Sequence, residues 1–252
     1  MPVPNTPELP CTDILGHAEN VHNIIRERTP KVFDIRPVDQ HMIGMFWRAV
    51  RLYDGVLILL KNQLPEEAAI LARSLFEDSL HLQQLDAEPR EKDALIFGWI
   101  NRSLTEQMGL LHHCEPSESV DNGLTYLQGR EKENRKAATA VGVTKFRDFI
   151  ETKVAAKRLG RGDDILLYEW SHESVHGSEA GWMFSKRMVT EPVVGFFAKN
   201  GDAGILSHVA RFAARSIVES AKAVFRRMGW TLPPELTMEL EAILGAFASN
   251  AE

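Results

Sequence analysis

Apolar residues recur at intervals of three and four through almost all of the chain's 252 residues, and Pro and Gly punctuate the periodic stretches. That period lines up one face of a helix, whereas a half-buried strand needs strict alternation. Thr12 can cap a first helix carrying Ile14, Leu15, Ala18, Val21, Ile24 and Ile25, which Thr29-Pro30 ends. Asp39 can cap a second, to about Asn62, carrying Met42, Met45, Phe46, Ala49, Val50, Leu52, Tyr53, Val56, Leu57 and Leu60. Pro65 in a first turn with Glu66 and Glu67 opens a third, to about Leu85. Further helices are expected at about 91–113, 118–138 and 144–159, then one from Asp163 or Asp164 to Gly177, one over about 202–228, and a last from Pro233-Pro234 to about Ala248. The stretch 178–201 is the least regular, and Val193-Val194-Gly195-Phe196-Phe197 is its one strand-like run. Residues 1–11 are Pro-rich and read as a disordered lead-in. Helical segments joined by short connections predict an all-α multi-helix bundle of about eight or nine helices, in a single domain over 12–252.

Composition narrows the class without naming a function. The chain is 44% hydrophobic and 25% charged, with a formal charge of −6, which excludes disordered, collagen-like and disulfide-scaffold chains. The longest aliphatic run, Val56 to Leu60, is far short of the roughly 20 residues a bilayer span needs, so no membrane association is expected. MPVPNTPELP has neither the basic nor the apolar region of a secretory signal. Cys11 and Cys114, far apart, fit a reducing compartment. A cytoplasmic location is expected.

The third helix, AAILARSLFEDSLHLQQL, is apolar nearly all round. Leu71, Leu75 and Leu82 form one face, while Ala69, Ile70, Phe76 and Leu80 surround Arg73, Glu77 and His81 on the other. Such a helix is central in its domain. Arg73 and Glu77, four residues apart, can pair, and partial burial makes that pairing necessary. The pair could fix helix register alone, or hold a guanidinium toward an anionic ligand.

Residues 172–176, HESVH, match H-E-x-x-H, in which two His on one helix face share zinc and the Glu activates its water. A hydrolase built on His172, Glu173 and His176 is therefore one alternative. Against it, Gly177 follows the second His directly, no strand pattern precedes the helix, and no third ligand stands out among Glu179, Glu191, Asp202 and His208. Asp/Glu-x-x-His also recurs at Glu19/His22, Asp78/His81, Glu169/His172 and Glu173/His176. A di-iron carboxylate bundle would use Asp78/His81 and Glu173/His176 with Asp54 and Glu151. Ordinary Glu–His hydrogen bonds on helix faces account for the same spacing. The favoured reading carries no cofactor, with zinc or di-iron as the alternatives.

On the seventh helix Tyr168, Ser171, His172, Val175 and His176 share one broad face beside Ile165, and Glu173 points away. Together with Arg73 and Glu77, the run YEWSHESVH resembles a family of all-helical bacterial proteins grouped as a domain of unknown function. That family carries an Arg-x-x-x-Glu helix and a later Tyr-x-x-Ser helix ending in His, here Arg73, Glu77, Tyr168, Ser171 and His176, over roughly residues 40–180. His172 is outside its pattern. The resemblance implies a helical fold and a shared pocket, and no activity.

If the third and seventh helices touch, Arg73, Ser171 and His172 could bind a ligand, while Glu77, Tyr168 and His176 do acid–base work on a phosphate or carboxylate. A satisfied polar network with no ligand uses the same residues equally well. Charge suggests a second locus. Segment 130–161 holds ten basic residues (Arg130, Lys132, Arg135, Lys136, Lys145, Arg147, Lys153, Lys157, Arg158, Arg161) against four acidic ones, a net +6 on a body of −12. It could meet nucleic acid or another anionic partner, or be a solvated face, and with only Phe146 and Phe149 it suggests no base stacking. An Arg-x(4–6)-His motif of RNA-cleaving bundles is matched only by Arg36 and His41. The favoured function is a binding protein with a polar pocket for an anionic small molecule, nucleic acid or protein; a metal-dependent hydrolase is the runner-up.

Overall fold

A computed structural model describes residues 11–31, 36–87, 91–175 and 201–245. Among these residues there are nine α-helices and one 3-10 turn. They are α1 (Cys11–Arg28), α2 (Pro37–Lys61), α3 (Pro65–Ala87), α4 (Lys92–His112), α5 (Glu118–Ala140), α6 (Thr152–Arg158), α7 (Ile165–Val175), α8 (Gly201–Met228) and α9 (Pro234–Gly245), with the 3-10 turn Gly162–Asp164 before α7. The architecture is the expected all-α bundle. Of the lead-in expected over 1–11, Cys11 belongs to α1, and residues 1–10, like the strand-like run 193–197, lie outside the described residues.

α3 is the axis of the bundle. It packs against α2 on one side and α8 on the other, with α7, α6 and the start of α4 around the remainder. The cause is its nearly continuous apolar circumference: Ala68, Ala69, Ala72, Leu75, Phe76, Leu80, Leu82 and Leu85 are all buried. α1 closes the far side against α2, α8 and α9. The core is continuous from Ile14 on α1 to Ile243 on α9. α8 carries a broad buried face opposite a stripe of charged residues, and buries Ile205, Val209, Phe212, Ile217, Val218, Val224 and Phe225 against several neighbours at once.

Two expectations are corrected. Asp39 is not the cap of α2: the helix starts at Pro37, Arg36 holds the N-cap position, and Asp39 sits in the first turn. There its buried carboxylate accepts from Arg36 Nε at 2.7 Å and from Arg227 Nη2 at 3.2 Å, so α8 claims the group that would otherwise cap. The sixth helix is seven residues long rather than running from 144. Most of 143–151 is irregular chain laid across α3 and α4, where Arg147 N–H donates to Ala94 O (3.1 Å) and Ile150 N–H to Gln84 Oε1 (2.8 Å). Backbone bonding to neighbouring helices replaces the helical bonds that the local pattern favours.

Candidate functional site

α3 and α7 are in contact, and the contact is polar. Tyr168 OH donates to Glu77 Oε1 at 2.9 Å. Arg73 Nη2 lies 3.5 Å from the same oxygen, and the guanidinium carbon sits 5.2 Å from the centre of the Tyr168 ring. Phe76 is the floor, its ring centre 5.7 Å from that of Tyr168 and 4.9 Å from that of Phe212 on α8. Helix periodicity brings Arg73, Phe76 and Glu77 to one face, and the turn before α7 delivers Tyr168 onto it.

Burial, and next the Glu77 carboxylate, push the Tyr168 phenol above its usual range, with Arg73 and Thr152 acting the other way. The phenol therefore keeps its proton at neutral pH and serves as a donor that orients Glu77. The Arg73 side chain is 19% exposed, and its buried Nε has no hydrogen-bond partner among the described residues. Ser171 is fully buried, and its hydroxyl donates to Tyr168 O at 2.8 Å, within its own helix. His172 and Glu173 lie on α7, which places residue 172 one turn past Tyr168; their side chains, and all of His176 and Gly177, are outside the description.

A second polar group occurs on the α2 side of α3. The buried Asp78 accepts from Arg48 Nη1 at 2.6 Å, while its other oxygen has no partner among the described residues. Burial outweighs the arginine and raises its pKa to about 6. One turn on, His81 stacks on Phe149 with ring centres 4.3 Å apart, and burial, then Arg48 and Arg102, lower it to about 4. Of the other di-iron candidates, Asp54 lies 3.7 Å from His22 on α1, and Glu151 holds the N-cap position of α6. Among the described residues, no group of three or more His, Cys, Asp or Glu is placed to hold a metal.

Asp78 and His81 make opposed contributions to acid stability. His81 titrates near 6.5 in the unfolded chain and about 4 when folded, so its contribution is whole above pH 6.5 and is lost as pH falls toward 4. Asp78 titrates near 3.8 unfolded and about 6 folded, so stability rises as pH falls from 6 to 3.8. Asp78→Asn removes the offset. Denaturant unfolding of that variant should lose up to about 3 kcal/mol more than the parent between pH 6 and 4. Parallel curves would refute the assignment.

Not every residue of the basic segment lies on the surface. Arg161 is 1% exposed: it lies inside the core over the Phe76 ring, paired with Asp164 and donating to Ser216 Oγ at 3.1 Å. Arg135 pairs with Glu131 and lies over Phe146; Arg147 pairs with Glu91 and Lys153 with Glu169. Arg36 is tied to Asp39 and Asp93, and burial, then Arg130, hold His41 below its usual value.

Arg48 escapes the sequence reading altogether, and the roles of Arg161 and Phe76 escape it. For Arg161 a signal exists. Gly160, at φ +68°, ends α6, and Arg161 N–H turns back to Ala156 O at 2.7 Å, which aims the next side chain inward.

Residues 39–191 match the model of a family of unknown function, DUF5677. No curated protein and no solved structure matches the chain.

Proposed function

We propose that this chain, which belongs to the DUF5677 family, binds an anionic small molecule at the α3–α7 contact, with Arg73 as the recognising cation. The observation that carries the reading is the state of Arg73: sheltered, held from one side by Glu77 and Tyr168, with a buried Nε that no described group satisfies. An unsatisfied donor of this kind is costly to bury, and an oxyanion relieves that cost. Glu77 fixes the guanidinium and Tyr168 fixes Glu77, so the fork is pre-oriented. The assignment of Ser171, His172 and His176 to the same site, and of acid–base roles to Glu77, Tyr168 and His176, is part of this proposal. It needs His176 to follow α7 onto the Arg73 side.

The di-iron alternative has less support, because Arg48 already occupies one oxygen of Asp78 and its charge opposes a second cation there; the zinc alternative rests on side chains of His172, Glu173 and His176 that lie outside the described residues. A nucleic-acid partner at 130–161 is also less supported, since Arg161 is inside the core and Arg135, Arg147 and Lys153 are paired. No helix among the described residues is long and apolar enough to cross a membrane.

The test is thermal denaturation in rising concentrations of inorganic phosphate and acetate. The parent should gain stability by saturable binding, and Arg73→Gln should gain little. Tyr168→Phe should bind more weakly than the parent, because Glu77 loses its orienting donor. An equal gain in parent and Arg73→Gln would overturn the proposal.

A further inference from the structure

α8 is buried around most of its circumference, yet His208, Arg211, Arg215 and Glu219 are only half-buried and follow one another at steps of three and four. They therefore share one face. Contacts near its middle and end fix how that face sits. Phe212 meets Phe76, and ten residues further along α3 Arg226 reaches Asp86 at 2.6 Å, so α8 runs parallel to α3. α7 runs the opposite way. Asp164, just before it, lies 3.4 Å from Arg215, and Tyr168, one turn on, reaches back to Arg73 and Glu77. One turn forward on α7 from the Asp164–Arg215 contact is Tyr168; one turn back on α8 is Arg211, each a rise of about 6 Å. Tyr168 and Arg211 thus stand at about the height of the Arg73–Glu77 turn of α3.

We propose that Arg211 completes the Arg73 site with a second guanidinium, and that the bound group is phosphoryl rather than carboxylate. This rests on the anion-binding reading above. A carboxylate has two oxygens and is satisfied by one guanidinium fork, whereas a phosphoryl group offers three oxygens in a tetrahedral array and takes two forks at once. Burial lowers Arg211 only to about 10, so it stays cationic at neutral pH. His208, one turn away, is lowered to about 4 by burial and then by Arg211, so it is neutral at pH 7 and adds no further charge to the site. Arg211 also lies outside residues 39–191, so this half of the site comes from a part of the chain that the family model does not cover.

The experiment is calorimetric titration of the full chain with inorganic phosphate, phenyl phosphate and acetate. The parent should bind phosphate more tightly than acetate. Arg211→Gln should weaken phosphate at least about tenfold, and Arg211→Lys, which keeps the charge and loses the fork, should also weaken it, while neither changes acetate. Tighter binding of phenyl phosphate than of phosphate identifies a phosphomonoester end as the natural source; the reverse order identifies free phosphate. Parent-like phosphate affinity in both Arg211 variants, with loss in Arg73→Gln, would overturn the second guanidinium and leave the Arg73 site standing. Equal affinity of the parent for acetate and phosphate would overturn the phosphoryl assignment, and no binding of any probe would overturn both readings.

Discussion

Arg161→Met should lower the unfolding free energy by about 3–5 kcal/mol, the range for removing one partner of a buried ion pair. The guanidinium is 1% exposed and ties four parts of the bundle together. It pairs with Asp164 at the entry to α7, donates to Ser216 on α8, covers the Phe76 ring of α3 at 5.0 Å, and follows the turn that ends α6. Burial lowers its pKa and Asp164 opposes that shift, the balance expected of a cation that depends on its partner. Methionine fills much of the volume but leaves Asp164 with Arg215 alone, at 3.4 Å. Adding Asp164→Asn should restore part of the loss, because the uncompensated carboxylate goes with it. The measurement is the shift in denaturant midpoint at unchanged slope. A loss below about 1 kcal/mol would place the pair with ordinary surface contacts and remove its bracing role.

Gly98→Ala should be nearly as damaging, for a steric reason. A Cβ at 98 would stand 2.0 Å from Arg147 O, 2.9 Å from Arg147 C and 3.1 Å from Arg147 N, all of them backbone. The segment cannot retreat without breaking Arg147 N–H to Ala94 O and straining Ile150 N–H to Gln84 Oε1. A loss of about 2–3 kcal/mol is expected, with faster amide exchange at Arg147 and Ile150 as the local sign. Gly44→Ala and Gly109→Ala are the controls. Both sites lie in helices with nothing within 4 Å of the added carbon, so each should stabilise by about 0.5–1 kcal/mol. A Gly98→Ala variant as stable as the parent would mean that 143–151 does not lie against α4.

Most helix positions are legible in the sequence because they depend on local period and punctuation. α3 could be recognised as central from its own residues, since a helix apolar on nearly every side has no stable exposed orientation. The spacing of Arg73 and Glu77 likewise announced their contact. The failures share one cause. Residues 144–151 have helical character taken alone, but Gln84, Ala94 and the bare backbone at Gly98 offer a better set of partners. Asp39 has the chemistry of a cap, yet Arg36 beside it and Arg227, from the other end of the chain, both hold its carboxylate. Arg161 reads as one more charge in a basic run until Gly160 turns it into the core.

The sequence by itself therefore determined the fold class, the central helix and the identity of the Arg73–Glu77 pair, because helical period, apolar girth and i,i+4 spacing are properties of a single segment. Only the tertiary structure decided that Tyr168 bonds Glu77 across ninety-one residues of chain, that Arg161 is a buried brace, and that Arg215 reaches Asp164. Those facts depend on which helices lie side by side and in which direction they run. That is set by how the whole core packs, and no local pattern encodes it.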